Sequence, residues 1–267
     1  NDGEVVLRKR IRTTPKGLNA FFQKLKPCTV VIEVGTHSRW ISELLKSAKH
    51  NTIVANPRML KLIYEGKYKD DQIDAEKLAR LARVDPKLLA PIQHRGQLPQ
   101  LHLLQLKARD ELIQTRTRTI NSIRGWLKSF GLQLPAGGDA NAFHKKVRKF
   151  LQQEPQSDTQ AKLQNELQSI LQPMLEILEH TTQSILLYDK RIETIAEAHY
   201  PVVKKLREID SVGPITALAF VLSLERAERF KKTRDAGAYL GLVPRRFQSC
   251  RTNRSSGITK AGDRALR

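Results

Sequence analysis

Two aspartates, Asp71 and Asp74, stand at the start of a run in which apolar residues recur at helical spacing. Residues three apart share one face of a helix, so these two carboxylates lie side by side. Adjacent carboxylates repel unless a cation lies between them, and oxygen ligands of this kind suit Mg²⁺. Acidic residues in a first turn also stabilise a helix through its dipole, without any metal. The two residues alone leave both explanations open.

Glu33 is a third candidate metal ligand. It lies near the end of the almost continuous β-branched run 29–35, a pattern typical of a strand buried on both faces. A carboxylate inside such a strand is costly unless it is paired or bound to a metal. The alternative is a glutamate exposed at the end of the strand.

Ser249 is a candidate for covalent chemistry. It is flanked by four arginines, Arg245, Arg246, Arg251 and Arg254. A hydroxyl among guanidinium groups can donate a hydrogen bond to a phosphate, or attack one if it is deprotonated. Because no adjacent base is visible, the residues alone favour a phosphate-binding loop.

The composition favours a polyanionic partner. The 267 residues include 47 Lys and Arg against 27 Asp and Glu, a formal charge of +20 with a pI near 10.2. Such a charge indicates nucleic acid without distinguishing DNA from RNA. Only two cysteines occur, which fits a reducing, cytoplasmic compartment. No apolar run approaches the roughly 20 residues of a membrane span.

The order of patterns predicts an α/β domain over residues 1–95, in which strands and helices alternate. Val5–Leu7 is predicted as a strand entered by a hairpin turn at Asn1–Gly3, so its partner strand would lie upstream. The first residue is Asn1 rather than Met, and the chain stops at Arg267 in mid-pattern, so we expect both ends to be truncated. Functional groups gather at the carboxyl ends of strands in such sheets, which is where Glu33 falls.

Residues 96–200 are predicted to form a helical arm. Apolar steps of three and four run through 98–131 and again through 158–198, which indicates an antiparallel helical pair or a coiled coil. Such an arm would serve self-association and contact with a nucleic-acid backbone. An internal helical bundle with solvated charges is the alternative.

Residues 201–267 are predicted as a C-terminal domain. Its segment 206–217 resembles a helix-hairpin-helix element, whose turn around Gly213 would offer N–H groups to a phosphate. Ser211 stands where that turn usually has its first glycine. The last stretch, 241–267, is polar, basic and rich in serine and glycine, and is predicted to be a loop.

Four motifs occur in one order along the chain: Glu33-Val-Gly-Thr-His-Ser-Arg-Trp40, Asp71-Gln-Ile-Asp74-Ala, Gly241-Leu-Val-Pro244 and Gly257-Ile-Thr-Lys-Ala-Gly-Asp-Arg-Ala-Leu-Arg267. Together they resemble the DEDD insertion-sequence transposases of the IS110 family, in its IS1111 subgroup. The resemblance implies a RuvC-like, ribonuclease-H-type N-terminal domain, a coiled-coil arm and a C-terminal transposase domain with a nucleophilic serine.

The resemblance also implies site residues. Glu33, Asp71 and Asp74 match the family's glutamate and its last two aspartates, with Asp70 as the alternative if the helix register shifts by one. The first aspartate would lie upstream of Asn1, so we expect an incomplete Mg²⁺ site. The serine falls on Ser249, and because Cys250 replaces the usual following glycine, Ser255 and Ser256 are weaker candidates.

The function implied is that of an RNA-guided DNA recombinase of a mobile element, acting at the prokaryotic nucleoid as a homo-oligomer, a dimer or a tetramer. Metal-assisted attack by the serine would give a covalent phosphoserine intermediate, in a site composed across subunits. Four basic residues are candidates for phosphate contacts: Arg251, Arg254, Lys260 and Arg264. The alternatives are a metal-dependent, structure-selective nuclease that uses water and a non-catalytic nucleic-acid scaffold.

Overall fold

A computed structural model describes residues 3–56, 70–155, 157–249, 252–260, 262 and 266, while the side chains of 246–249 and 252–255 lie outside that description. The chain divides into two compact units, Asn1–His94 and Arg95–Arg267. The three-domain division at residues 95 and 200 stays a prediction. No helix among the described residues is long and apolar enough to cross a membrane.

The first unit contains a parallel pair of strands. Its elements, in order, are α1 (Pro15–Phe22), β1 (Thr29–Glu33), α2 (Ser38–Ser47), β2 (Asn51–Ala55), α3 (Asp71–Val84) and a 3₁₀ turn (Pro86–Leu89). β1 and β2 pair from Thr29 opposite Asn51 to Glu33 opposite Ala55, and α2 makes the connection that a parallel pair requires. The predicted alternation of strands and helices is therefore confirmed over these residues.

Apolar side chains fix α3 on this sheet. Ala55, Leu78 and Leu89 form a buried cluster, against which Val31 and Ile53 pack. Leu78 is on α3, so its burial brings the helix against the strand that ends in Glu33. The segment around Met59 and Ile63, predicted to precede the acidic helix, lies outside the described residues.

The predicted strand at Val5–Leu7 is wrong. Residues 4–12 have no regular secondary structure, and Val6 is 98% exposed. A strand needs a hydrogen-bonded neighbour, and β1 and β2 pair only with each other and with Ile92 among the described residues. The predicted hairpin turn rests on Asn1 and Asp2, which lie outside the described residues.

The second unit is mainly helical. Its elements are α4 (Gln97–Ser129), α5 (Phe143–Leu151), α6 (Asp158–His199), α7 (Val202–Leu206), α8 (Pro214–Leu224), α9 (Thr233–Tyr239), β3 (Pro244–Ser249) and β4 (Thr252–Ile258). α4 and α6 pack against each other, with an ion pair between Arg109 and Asp189. They run antiparallel, because the end of α4 packs near the start of α6 in one cluster and its start packs near the end of α6 in the other. The predicted antiparallel pair is confirmed.

Two apolar clusters hold these helices. One joins α4, α5 and α6, and includes Leu127, Val147 and Leu171. The other joins α4, α6, α7 and α8, and includes Leu106, Ile192 and Leu218. The long helices are therefore stabilised mainly by burial of one face.

The predicted loop at 241–267 is wrong over most of its described part. β3 and β4 form an antiparallel hairpin, from Pro244 opposite Ile258 to Ser249 opposite Thr252. Polar, serine-rich composition favours turns, but backbone pairing within a hairpin does not require apolar side chains on either face.

Candidate active site and nucleic-acid contacts

Glu33 is the last residue of β1, and its side chain is exposed. It lies opposite Ala55, the last residue of β2, so both parallel strands end at the same edge of the pair. The β-branched residues before it are half-buried, so the strand is less buried than its composition predicts. This edge is where side chains are free to bind a ligand.

Asp70, Asp71 and Asp74 occupy the start of α3 in different ways. Asp70 is the N-cap, and its Oδ1 accepts a hydrogen bond from the Gln72 backbone N–H at 2.8 Å. Asp71 is exposed and Asp74 is half-buried in the first turn. Because Asp70 is used by the cap, the helix register favours the assignment of Asp71 and Asp74 as the candidate ligands.

The carboxylates of Glu33, Asp71 and Asp74 fit a divalent cation in type. Each supplies hard oxygen donors, and none makes a side-chain hydrogen bond or ion pair with another described residue. Within the described part of the chain, however, no group of three or more His, Cys, Asp or Glu side chains is placed to hold a metal ion. Convergence of the three on one ion stays a prediction.

Ser249 is the last residue of β3, immediately before the turn of the hairpin. Its neighbours Cys250 and Arg251 lie outside the described residues. Ser255 and Ser256 instead lie inside β4, opposite Arg246 and Arg245. Ser256 is exposed, whereas the side chains of Ser249 and Ser255 lie outside the described residues, so the choice among the three serines stays a prediction.

The other predicted phosphate contacts fall around the same hairpin. Arg254 lies on β4 opposite Phe247, and its side chain is outside the description, as is all of Arg264. Lys260 is exposed just after β4, where its backbone φ is 55° and its N–H donates to the Gly241 carbonyl oxygen at 3.1 Å.

The predicted helix-hairpin-helix element, 206–217, is present only in part: α7 ends at Leu206, where the first helix was predicted to begin, and residues 207–213 connect it to α8 without helical structure. Ser211 has a φ of 65°, the left-handed conformation that favours the glycine usual at this position. Gly213 is the N-cap of α8, is exposed, and has no atom within 4 Å of a Cβ built on it. Pro214, the first residue of α8, has no N–H, so an anion at this helix start would be bound by the N–H groups of Ile215 and Thr216.

Sequence reasoning missed two residues beneath the hairpin. A Cβ on Gly262 would lie 2.2 Å from the carbonyl carbon of Leu240, so only glycine fits there. The motif around Gly257–Arg267 contained this glycine, although nothing in the pattern showed what it contacts. Arg95, which donates hydrogen bonds to α8 and α9, carried no sequence signal at all.

Comparisons with known proteins identify the kind of protein that this chain resembles. Residues 1–131 match the transposase family of the DEDD IS110 type, and residues 203–267 match the transposase IS116/IS110/IS902 family. A probable family 20 transposase of Pseudomonas aeruginosa is 29% identical, over 98% of this chain and 74% of its own length. A putative transposase of Sinorhizobium fredii is 28% identical, over 98% of this chain and 64% of its own length.

The transposase for insertion sequence element IS1111A of Coxiella burnetii is 26% identical, over 99% of this chain and 69% of its own length. These matches define the class: a transposase, an enzyme that acts on DNA. Two transposase models of the IS110 type therefore match this chain, one over residues 1–131 and the other over residues 203–267.

Proposed function

We propose that this protein is an RNA-guided DNA recombinase that moves an insertion sequence. Glu33, Asp71 and Asp74 are its metal ligands, and Ser249 is its nucleophile. The observation that carries the proposal is the position of the acidic motifs: a strand end and the start of a helix packed on that strand. The parallel strands and their connecting helix support a RuvC-like fold for this unit.

The proposed reaction transfers a phosphodiester. The Ser249 Oγ forms a bond to phosphorus, the bond to one DNA oxygen breaks, and the serine proton passes to a base while the departing oxygen takes up a proton. Mg²⁺, when bound, stabilises charge on the attacking and leaving oxygens. Because the phosphoserine ester keeps the bond energy, a DNA hydroxyl can reverse the step and rejoin strands without ATP.

The proposed partners are DNA and a structured non-coding guide RNA. The charge of +20 supports a polyanionic partner, and Lys204 and Lys205 lie exposed on α7, just before the Gly213 turn. Phosphate contacts of this kind position a nucleic acid without reading its sequence. The guide RNA would supply the sequence specificity, and the protein would act in the cytoplasm at the nucleoid.

A homo-oligomer is the proposed assembly. Ile170 and Ile177 are seven residues apart on α6 and are 64% and 51% exposed. Leu101 and Leu104, three residues apart on α4, are 50% and 58% exposed at the other end of the antiparallel pair. Apolar side chains at heptad spacing on the outer face of a helical pair are typical of association with a second copy.

Trapping of a protein–DNA adduct tests the recombinase proposal. The full chain is incubated with a DNA junction, the guide RNA and Mg²⁺, then denatured and separated by electrophoresis. A covalent adduct that is lost in Ser249→Ala, but kept in Ser256→Ala, supports recombination. Metal-dependent cutting without any adduct would support the nuclease instead, and salt-sensitive binding alone would support the scaffold.

RNA guidance has its own test. The protein is purified from its host under native conditions and the bound RNA is sequenced. A single structured RNA encoded beside the transposase gene supports guidance, whereas a random sample of cellular RNA contradicts it.

A further inference from the structure

Arg95 binds the end of one helix and the side chain of another. Its Nε donates to the Leu222 carbonyl oxygen at 3.1 Å, and its Nη2 donates to the Ser223 carbonyl oxygen at 3.2 Å. The same Nη2 donates to the Tyr239 hydroxyl at 3.3 Å. The last carbonyls of a helix lack partners within it, so a guanidinium satisfies them and complements the helix dipole.

The residue after Arg95 strengthens this contact. The Gly96 N–H donates to Oε1 of Glu225 at 3.0 Å. Glu225 directly follows α8 and has a φ of 58°, so it ends that helix in a left-handed conformation. Two consecutive residues before α4 are therefore bonded to the end of α8.

Tyr239 transmits this contact to α9. It is the last residue of α9, and its ring packs edge-on against Phe230 with centroids 5.6 Å apart. The Arg229 guanidinium lies 4.8 Å from the Tyr239 ring centroid, a cation–π distance. Arg95, Phe230 and Arg229 together restrict the end of α9.

The base of the β3–β4 hairpin is bonded to this same end. The Leu242 N–H, just before β3, donates to the Gly237 carbonyl oxygen of α9 at 2.9 Å. The Thr259 N–H, just after β4, donates to the Val243 carbonyl oxygen at 2.9 Å and closes the base of the hairpin. Ser249 lies five residues along β3 from Pro244, a distance of roughly 17 Å at the usual strand rise. A tilt of about 10° at the base would move the far end of such a strand by roughly 3 Å.

We infer that Arg95 is a positioning residue for Ser249, acting through Tyr239 and the base of the hairpin. This inference rests on the proposed role of Ser249 as nucleophile. In this proposal Arg95 acts through these protein contacts and not by binding DNA or the reacting atoms. The planar guanidinium is required because two of its nitrogens, Nε and Nη2, donate to three acceptors in fixed directions, whereas lysine carries its donors on a single nitrogen.

The test uses the full chain and the variants Arg95→Lys, Tyr239→Phe and their double mutant. The matched control is Arg234→Lys, the same substitution at an exposed position of α9. Three quantities are measured: the rate of adduct formation, the dissociation constant for the DNA junction, and amide hydrogen exchange of residues 245–249. We expect Arg95→Lys to slow adduct formation about tenfold, because small misplacements of a reacting group are costly.

The remaining readouts separate positioning from a merely structural role. DNA affinity should stay within about twofold, exchange in β3 should rise, and the double mutant should be no slower than Arg95→Lys, since both changes break one contact. If the adduct rate of Arg95→Lys equals that of the control, or exchange in β3 is unchanged, positioning is overturned. If wild type forms no adduct that depends on Ser249, the proposed function itself fails.

Discussion

Asp70 and Asp71 are neighbours in the chain with different tasks. The Asp70 carboxylate accepts the Gln72 N–H and so caps α3, whereas the oxygens of Asp71 make no bond with a described side chain or backbone group. Glu33 resembles Asp71 in this respect: it is the last residue of β1, and its side chain is exposed. At the residue scale, the proposed ligands are therefore the carboxylates that make no hydrogen bond or ion pair with another described residue.

Substitution should separate these two tasks. Asp70→Ala removes an N-cap and should lower the free energy of unfolding by about 1 kcal/mol, with the metal dependence of DNA cleavage retained. Asp71→Asn should leave stability nearly unchanged and abolish cleavage. Urea denaturation and a cleavage assay over a range of Mg²⁺ concentrations would measure both. Loss of cleavage in Asp70→Ala alone would instead make Asp70 the ligand.

Gly262 should tolerate no side chain. Gly262→Ala places a methyl group 2.2–2.5 Å from the backbone of Leu240, so the segment after β4 must move. We expect a loss of roughly 1–3 kcal/mol of stability, in the range of overpacking substitutions. The control is Gly257→Ala on β4, where a Cβ meets nothing within 4 Å. Equal melting temperatures for the two variants would contradict the packing of Gly262.

His144 should make the second unit sensitive to acid. Burial lowers the pKa of its imidazole below 6.5, an effect larger than the opposing attraction of Glu179, and neither ring nitrogen has a hydrogen-bond partner. The unfolded chain therefore binds a proton more readily than the folded one. Stability is full above pH 6.5 and falls as the pH drops towards the lowered pKa of the folded state.

Replacement of His144 tests whether this residue causes the loss of stability at low pH. His144→Leu should flatten the dependence of the free energy of unfolding on pH between about 6.5 and 5, while His180→Leu on the exposed side of α6 should leave it in place. Denaturant titrations at several pH values would measure the slope. A slope unchanged in His144→Leu would show that another group binds the proton.

At the element scale, α4 and α6 present two apolar faces with different roles. The inner face is buried, as Leu175 shows with 0% exposure. The outer face carries Ile170 and Ile177, which remain exposed in the single chain. Burial of the first stabilises the fold, and burial of the second would require another copy.

Two matched substitutions on α6 distinguish these faces. Leu175→Ala leaves a cavity and should cost about 2–5 kcal/mol of unfolding free energy. Ile177→Ala, two residues on, should change stability little but weaken self-association. Denaturation and sedimentation equilibrium measure the two effects. Unchanged association in both Ile177→Ala and Ile170→Ala would place the oligomer interface elsewhere.

At the scale of the whole molecule, apolar periodicity predicted the long helices, whereas residue composition did not predict the strands correctly. Apolar residues that recur every three or four positions were sufficient to predict α4 and α6, because each helix buries one face. The strand at Val5–Leu7 failed because pairing is a property of two segments, and a single run does not reveal its neighbour. The hairpin at 244–258 was missed for the same reason: its pairing is backbone to backbone.

The candidate site was predictable in part. The acidic positions followed from motif spacing, and the structure gives each a distinct place at a strand end or a helix start. Arg95 and Gly262 were not predictable, because their importance depends on contacts with residues more than 20 positions away. Such contacts leave no periodic signal in one sequence.

The central claim is that Ser249 becomes esterified to DNA when the carboxylates hold Mg²⁺. Mass spectrometry of peptides from the trapped reaction tests it most directly, since it identifies the modified residue. We predict a nucleotide remnant on the peptide that contains Ser249, formed with Mg²⁺ and absent in Glu33→Gln. A remnant on Ser255 or Ser256, or cleaved DNA with no modified peptide, would contradict the account.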